Sequence, residues 1–180
     1  SFWSVEAKEK TARVGCWVAG PGMDLFDRIA KAFPDAPIIA EDLGEADDEL
    51  VCFLEKTGFP GMRVLQFGFD PTCDNTHIPH NYPKNCVAYT GTHDNNTMLG
   101  WLWEASEEQR AYALEYSHFS EKDWGKGGPM SPVCREMIRL VWQSHADLAI
   151  APIQDVLGFG GDTRMNVPGT PSGNWSFRVT

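Results

Sequence analysis

No apolar run in this 180-residue sequence approaches the ~20 residues a helix needs to cross a bilayer. The longest, around Leu148 to Ile153, falls far short. Basic charge is scarce: 15 Lys and Arg stand against 25 Asp and Glu, for a net charge of −10. That balance argues against nucleic acid and anionic membrane as partners, because both require a basic face. A neutral ligand is compatible with it. Cysteine is limited to Cys16, Cys52, Cys73, Cys86 and Cys134, an odd number at wide spacings with no C-x-x-C. This predicts reduced thiols in a reducing compartment. Ser1 is followed by neither a basic n-region nor an apolar h-region, so no signal peptide is read there. The sequons at Asn95 and Asn174 are then coincidental. No internal repeat or low-complexity segment stands out. An apolar content of 42% and an aromatic content of 12% exclude a disordered chain.

What is present is an alternation of short apolar runs and helical patterns. Residues 1 to 22 show no clean periodicity, and Trp17 to Gly22 reads as a loop. Asp24 is placed to cap a helix whose Leu25, Phe26, Ile29, Ala30 and Phe33 fall at helical spacing. A strand over Ile38 to Glu41 follows, then an acidic-fronted helix over 45 to 56 and a strand over Met62 to Phe67. Residues 70 to 85 form a polar loop, and Val87 to Thr90 a third strand. Helical patterns run from Asn96 to Trp101, Ser106 to Tyr116 and Pro132 to Ser144, with Trp142 expected in the core. Leu148 to Ile153 is a fourth strand, and residues 158 to 180 read as loop. None of the four strands alternates, as expected of strands buried on both faces of a parallel sheet. The fold class is α/β, an open doubly wound sheet or part of a barrel. Four strands are too few to close an eight-stranded barrel.

Two of these runs end abruptly in carboxylates. Ile38-Ile39-Ala40 leads into Glu41-Asp42, and Cys86-Val87-Ala88-Tyr89 leads into Thr90-Gly91-Thr92-His93-Asp94-Asn95. Two acids at the carboxyl ends of neighbouring strands can face one another across a barrel mouth, the arrangement needed for glycosidic bond cleavage. Glu41 admits two readings, a solvated loop acid and a proton donor in a partly apolar pocket. Asp94 likewise is either an Asx turn ahead of the next helix or an acceptor for two sugar hydroxyls. His77 and His80 have H-x-x-H spacing near Cys73 and Cys86, but no helix there would align the imidazoles, so no metal is expected. Gly158-Phe159-Gly160-Gly161 lacks the Lys-Ser/Thr of a phosphate loop, and no G-x-S-x-G nucleophile elbow occurs. Trp17 and Trp175 are the tryptophans best placed to be exposed.

Together these motifs resemble the 4-α-glucanotransferases, the amylomaltases or disproportionating enzymes of glycoside hydrolase family 77. The matching stretches are Trp17 to Gly22, Ile39 to Gly44, Gly58 to Phe67, Tyr89 to Asn95, Pro152 to Gly158, and Arg164 to Gly169 with Asn174-Trp175. The resemblance covers essentially the whole chain. It implies Glu41 as general acid/base, Asp94 as transition-state stabiliser, and His93, Asp70 and Asn166 as substrate-binding residues, with no cofactor and no metal. It implies transfer of α-1,4-glucan segments between maltooligosaccharides by a retaining reaction, in cytoplasm or plastid stroma. It also implies the C-terminal half of a (β/α)₈ barrel: Ile38, Val64, Val87 and Leu148-Ala149 match strands five to eight. The family's nucleophile belongs to an Arg-Ile-Asp-His-type motif, and this chain has none. Residues 1 to 180 are therefore expected to be a partial catalytic domain, inactive alone. The competing expectation is a non-catalytic glucan-binding module, or a half barrel that completes itself with another chain.

Overall fold

A computed structural model of the chain describes residues 1–44, 48–71, 75–129 and 131–179. Glu45 and Asp47, the acidic start expected for the second helix, and Cys73 lie outside the described residues. The chain divides into two compact units, Ser1–Ile38 with Gly44–Phe59, and Ile39–Leu43 with Pro60–Thr180.

The first unit opens with an antiparallel ribbon where only loop is expected. β1 (Phe2–Ser4) pairs with β2 (Cys16–Val18), placing Trp3 opposite Trp17. The two indoles meet edge to face at 5.4 Å, a cross-strand aromatic pair that stabilises a short ribbon. Gly15 lets the strands close up, since a Cβ there would sit 2.5 Å from the Ser4 carbonyl oxygen. α1 (Met23–Ala32) starts from Gly22 with φ 57, so Asp24 lies in the first turn and does not cap. α2 (Asp48–Thr57) packs beside it through Phe26, whose ring lies 5.5 Å from Phe53 and 5.6 Å from Phe59.

The second unit carries the site. β3 (Gly61–Val64), β4 (Cys86–Tyr89) and β5 (Leu148–Ile150) form a parallel sheet in the order β3-β4-β5. α3 (Met98–Glu104), α4 (Glu107–Tyr116) and α5 (Pro132–Trp142) form its helices. Leu65, Ala88, Met98, Leu102, Val133 and Met137 are buried in one core cluster. All three helices have side-chain caps, Thr97, Ser106 in a capping box with Gln109, and Ser131 followed by Pro132.

Four expectations are corrected. Ile38 to Glu41 forms no strand and joins no ladder among the described residues. The Ala40 N–H bonds the Pro60 carbonyl at 2.9 Å, while Pro60 has no N–H to return. β3 stops at Val64 because Leu65–Gly68 winds into a 3₁₀ turn, tied down by the Asn75 amide donating to the Phe67 and Gly68 carbonyls. β5 is not buried on both faces: Leu148 and Ile150 are exposed on a strand paired only with β4 among the described residues. It also ends at Ile150, and α6 (Ile153–Val156) follows. Finally, Trp142 is 69% exposed. It is the last residue of α5, about 100° around the helix from buried Val141.

Candidate active site

A cavity of about 520 Å³ is walled by segments that follow the parallel strands: Phe67 after β3, residues 91 to 97 after β4, and Pro152 after β5. Glu41, His93 and Asp94 all line it, and so do Tyr89 and Trp175. The two acids that end separate apolar runs in the sequence therefore reach one cavity. Asp70 and Asn166 are not among its lining residues, although Asn166 touches one that is.

The loop carrying His93 and Asp94 is fixed from within. The Asn95 side-chain oxygen accepts from both the Thr92 N–H (2.9 Å) and the Thr92 hydroxyl (2.8 Å). The Asp94 N–H reaches the Thr92 hydroxyl at 3.2 Å. These bonds make the turn chemistry expected of a Thr/Asp/Asn-rich segment and leave the Asp94 carboxylate facing outward. That carboxylate accepts from the Asn166 amide at 2.6 Å and lies 3.4 Å from His93 Nε2. The Arg164 guanidinium holds the same residue by its backbone, donating to the Asp94 carbonyl at 2.7 Å and to the Asn166 carbonyl at 2.8 Å. The Asn166 N–H bonds the His93 carbonyl at 3.1 Å. Residues 164–166 thus splint the His93–Asp94 loop.

Trp175 completes the wall. Its backbone takes φ 60, rare for a tryptophan, and its N–H donates to the Met165 carbonyl at 2.7 Å. The indole lies over the His93 ring, centroids 5.0 Å apart and planes inclined by 38°. It is 53% exposed and offers an aromatic face of the kind on which a sugar ring stacks. Trp17, the other tryptophan expected to be exposed, is exposed but sits in the β1–β2 ribbon.

Beneath the loop lies a buried acid that sequence reasoning misses. Asp155 in α6 is 1% exposed and accepts from the Thr90 hydroxyl at 2.5 Å and the Met98 N–H at 2.7 Å. It pins together the end of β4 and the start of α3, the two ends of the site loop. Burial pushes its carboxyl above the ordinary carboxylate range, and the two hydrogen bonds pull the other way. The Gln66 amide, also buried, donates to the Asn96 carbonyl at 2.8 Å. Tyr89 is held above its ordinary range first by burial and then by the charge of Glu41.

The other candidates resolve into structural parts. His77 Nδ1 accepts from the Val64 N–H at 3.1 Å, and His80 Nδ1 lies 3.0 Å from the Tyr116 hydroxyl. Among the described residues no group of three or more metal-ligating side chains converges. The Gly158–Gly161 segment is a packing feature. Gly158 has φ 62, its carbonyl accepts from the Gly128 N–H at 2.9 Å, and a Cβ on it would collide with the Gly128 carbonyl.

The family model described as 4-alpha-glucanotransferase matches residues 1–180. A 4-alpha-glucanotransferase of Clostridium butyricum is 44% identical over 183 residues, covering 99% of this chain and 35% of the relative. The chloroplastic/amyloplastic 4-alpha-glucanotransferase of Solanum tuberosum is 44% identical over 179 residues, covering 99% of this chain and 30% of the relative. Among solved structures, an amylomaltase from Streptococcus agalactiae in complex with acarbose superposes with a TM-score of 0.89 at 38% identity. The match covers 99% of this chain and 34% of that one. The chain thus spans about a third of the length of the relatives it matches, and over that span it belongs to the 4-alpha-glucanotransferase family.

Proposed function

We propose that this chain is the acid/base-bearing part of a 4-α-glucanotransferase that moves α-1,4-glucan segments between maltooligosaccharides. The observation that carries the reading is the convergence of Glu41, His93 and Asp94 on one cavity beside the exposed face of Trp175. In this reading Glu41 protonates the leaving glycosidic oxygen and later takes the proton from the 4-hydroxyl of the acceptor. Asp94 accepts hydroxyls of the distorted, oxocarbenium-like ring, interactions that strengthen as the ring gains positive charge. The Asn166 amide and the Arg164 guanidinium fix Asp94 for that task. His93 binds the same sugar, and Asp70 and Asn166 contribute substrate contacts. The retaining course needs a carboxylate nucleophile, which this reading places in the rest of the protein. No cofactor is required.

In this reading Ile39–Leu43 and strands β3, β4 and β5 are strands five to eight of a (β/α)₈ barrel. The parallel order and the site at the strand ends support that placement. The compartment is cytoplasm or plastid stroma, in keeping with the plastid relative and with the absence, among the described residues, of a helix long and apolar enough to cross a membrane.

The test is disproportionation of maltotriose by the full-length protein containing this chain. Glu41→Gln and Asp94→Asn should each lower turnover by about 10²-fold or more. Wild-type turnover in Glu41→Gln would overturn the assignment. So would release of glucose and longer oligomers by the isolated 180-residue chain, because the nucleophile would then lie within it.

A further inference from the structure

Glu41 belongs to a segment that, among the described residues, joins its β3 neighbour through little backbone pairing. Between Ile39–Leu43 and β3 the backbone contributes the single bond from the Ala40 N–H to the Pro60 carbonyl, 2.9 Å. Beyond it, side chains take over. The Asp42 carboxylate accepts from the Met62 N–H at 2.6 Å. Its other oxygen accepts from the Arg63 guanidinium at 2.9 Å, and the same guanidinium nitrogen donates to the Met62 carbonyl at 2.6 Å. Together, Asp42 and Arg63 occupy the N–H and the C=O of Met62, the two backbone groups by which a residue joins a ladder.

The pair is well placed to be rigid. Its side chains are only 15% and 13% exposed, so water competes weakly for either charge. The fit is close, since a Cβ on Gly61 would lie 2.5 Å from the Asp42 carboxyl oxygen. Glu41 is bonded directly to Asp42, so fixing the Asp42 side chain against β3 fixes the backbone from which Glu41 reaches the cavity it lines.

We infer that Asp42 and Arg63 are positioning residues for Glu41, a side-chain ion pair that takes the place of ladder bonds on the β3 side in aiming the acid at the glycosidic oxygen. This rests on the acid/base reading of Glu41. An error of about 1 Å in such a group costs on the order of 10²-fold in rate. The loss should fall on turnover, because neither residue lines the cavity where the sugar sits.

The experiment compares Asp42→Ala, Asp42→Asn, Arg63→Lys and Glu41→Gln in the full-length protein, measuring kcat and KM for maltotriose. Thermal unfolding of each variant runs alongside. Asp42→Ala should lower kcat by about 30- to 100-fold with KM within about threefold. Asp42→Asn keeps an oxygen for the Met62 N–H but loses the charge facing Arg63, and should recover only part of the loss. Arg63→Lys keeps the charge but not the length and planarity that place the donating nitrogen between Asp42 and the Met62 carbonyl, and should lie between them. If Asp42→Ala does not fold, the other two variants decide. Folded Asp42→Asn and Arg63→Lys proteins that both keep wild-type kcat would overturn the inference, as would loss of kcat only in proportion to lost folded protein. The control separates the two claims. If Glu41→Gln stays active, the acid/base reading fails. If Glu41→Gln is inactive and Asp42→Ala keeps its kcat, only the positioning role fails.

Discussion

Asp94 is oriented by residues 70 and 72 positions downstream, Arg164 at its carbonyl and Asn166 at its carboxylate. Removing the amide in Asn166→Ala leaves one carboxylate oxygen free to rotate toward water or His93. A hydrogen bond to a charged group contributes about 1.5–3 kcal/mol, less where water competes as it does here. Turnover of the full-length protein should therefore fall on the order of tenfold, and Asn166→Ser should recover part of it. A second residue-scale prediction concerns pH. His77 uses Nδ1 as an acceptor for the Val64 N–H, so its neutral form is the folded one. Burial first, and then the nearby Arg63 charge, hold it below its ordinary value of 6.5, while Asp42 opposes them. The unfolded chain thus binds this proton more readily than the folded one. The stability His77 contributes is complete above pH 6.5 and is lost as pH falls from there through the lowered folded value. Melting temperatures of wild type and His77→Gln, followed from pH 7.5 to 5, should converge as pH falls. Parallel curves would refute the assignment. Glu41 and Asp94 can be singled out in the sequence because Glu41 directly follows an apolar run and Asp94 stands in the short polar loop that ends another. Arg164 and Asp155 are not, because what makes them matter is contact across long stretches of chain.

At the scale of elements, the site loop is a segment clamped at both ends. Asp155 in α6 holds Thr90 at the end of β4 and Met98 at the start of α3. Thr90→Val preserves shape but leaves one oxygen of a buried carboxylate without its donor. The expected loss is about 1–3 kcal/mol. In a chain of this size that is a drop of roughly 2–12 °C in melting temperature. Differential scanning calorimetry checks it, and an unchanged midpoint would mean that the bond contributes nothing. The same elements show what sequence pattern can and cannot reveal. α3, α4 and α5 are readable because Thr97, Ser106 and Ser131 are local caps. The β1–β2 ribbon is not, because it depends on Trp3 meeting Trp17 across the turn. The run at Ile38–Glu41 looks like a strand by composition, yet on its β3 side Pro60 has no N–H and Asp42 takes the Met62 N–H, which no periodicity reports.

At the scale of the whole molecule, the distribution of apolar surface bears on how the 180-residue chain behaves by itself. Its sheet is buried on β3 and β4 but exposes Leu148 and Ile150 on β5, and Phe67 and Ile153 are exposed as well. α1 and α2 in the other unit contain no fully buried residue. A parallel strand with one neighbour presents unpaired backbone groups beside apolar side chains, a template for pairing with a second copy. In the proposed barrel the free edge of β5 faces a further strand, and in the isolated chain it faces water. The isolated chain should therefore self-associate, with sedimentation velocity showing a mass that rises between about 1 and 100 μM, a range in which such surfaces associate. It should unfold broadly, since α1 and α2 have no fully buried residue and should melt ahead of the core cluster around β4. Adding in trans the nucleophile-bearing part that the proposal places outside this chain should lower the associated fraction if that part covers the β5 edge. A monomer at every concentration, with one sharp unfolding transition, would instead mean that these surfaces are stable in water. That outcome would count against the half-barrel placement.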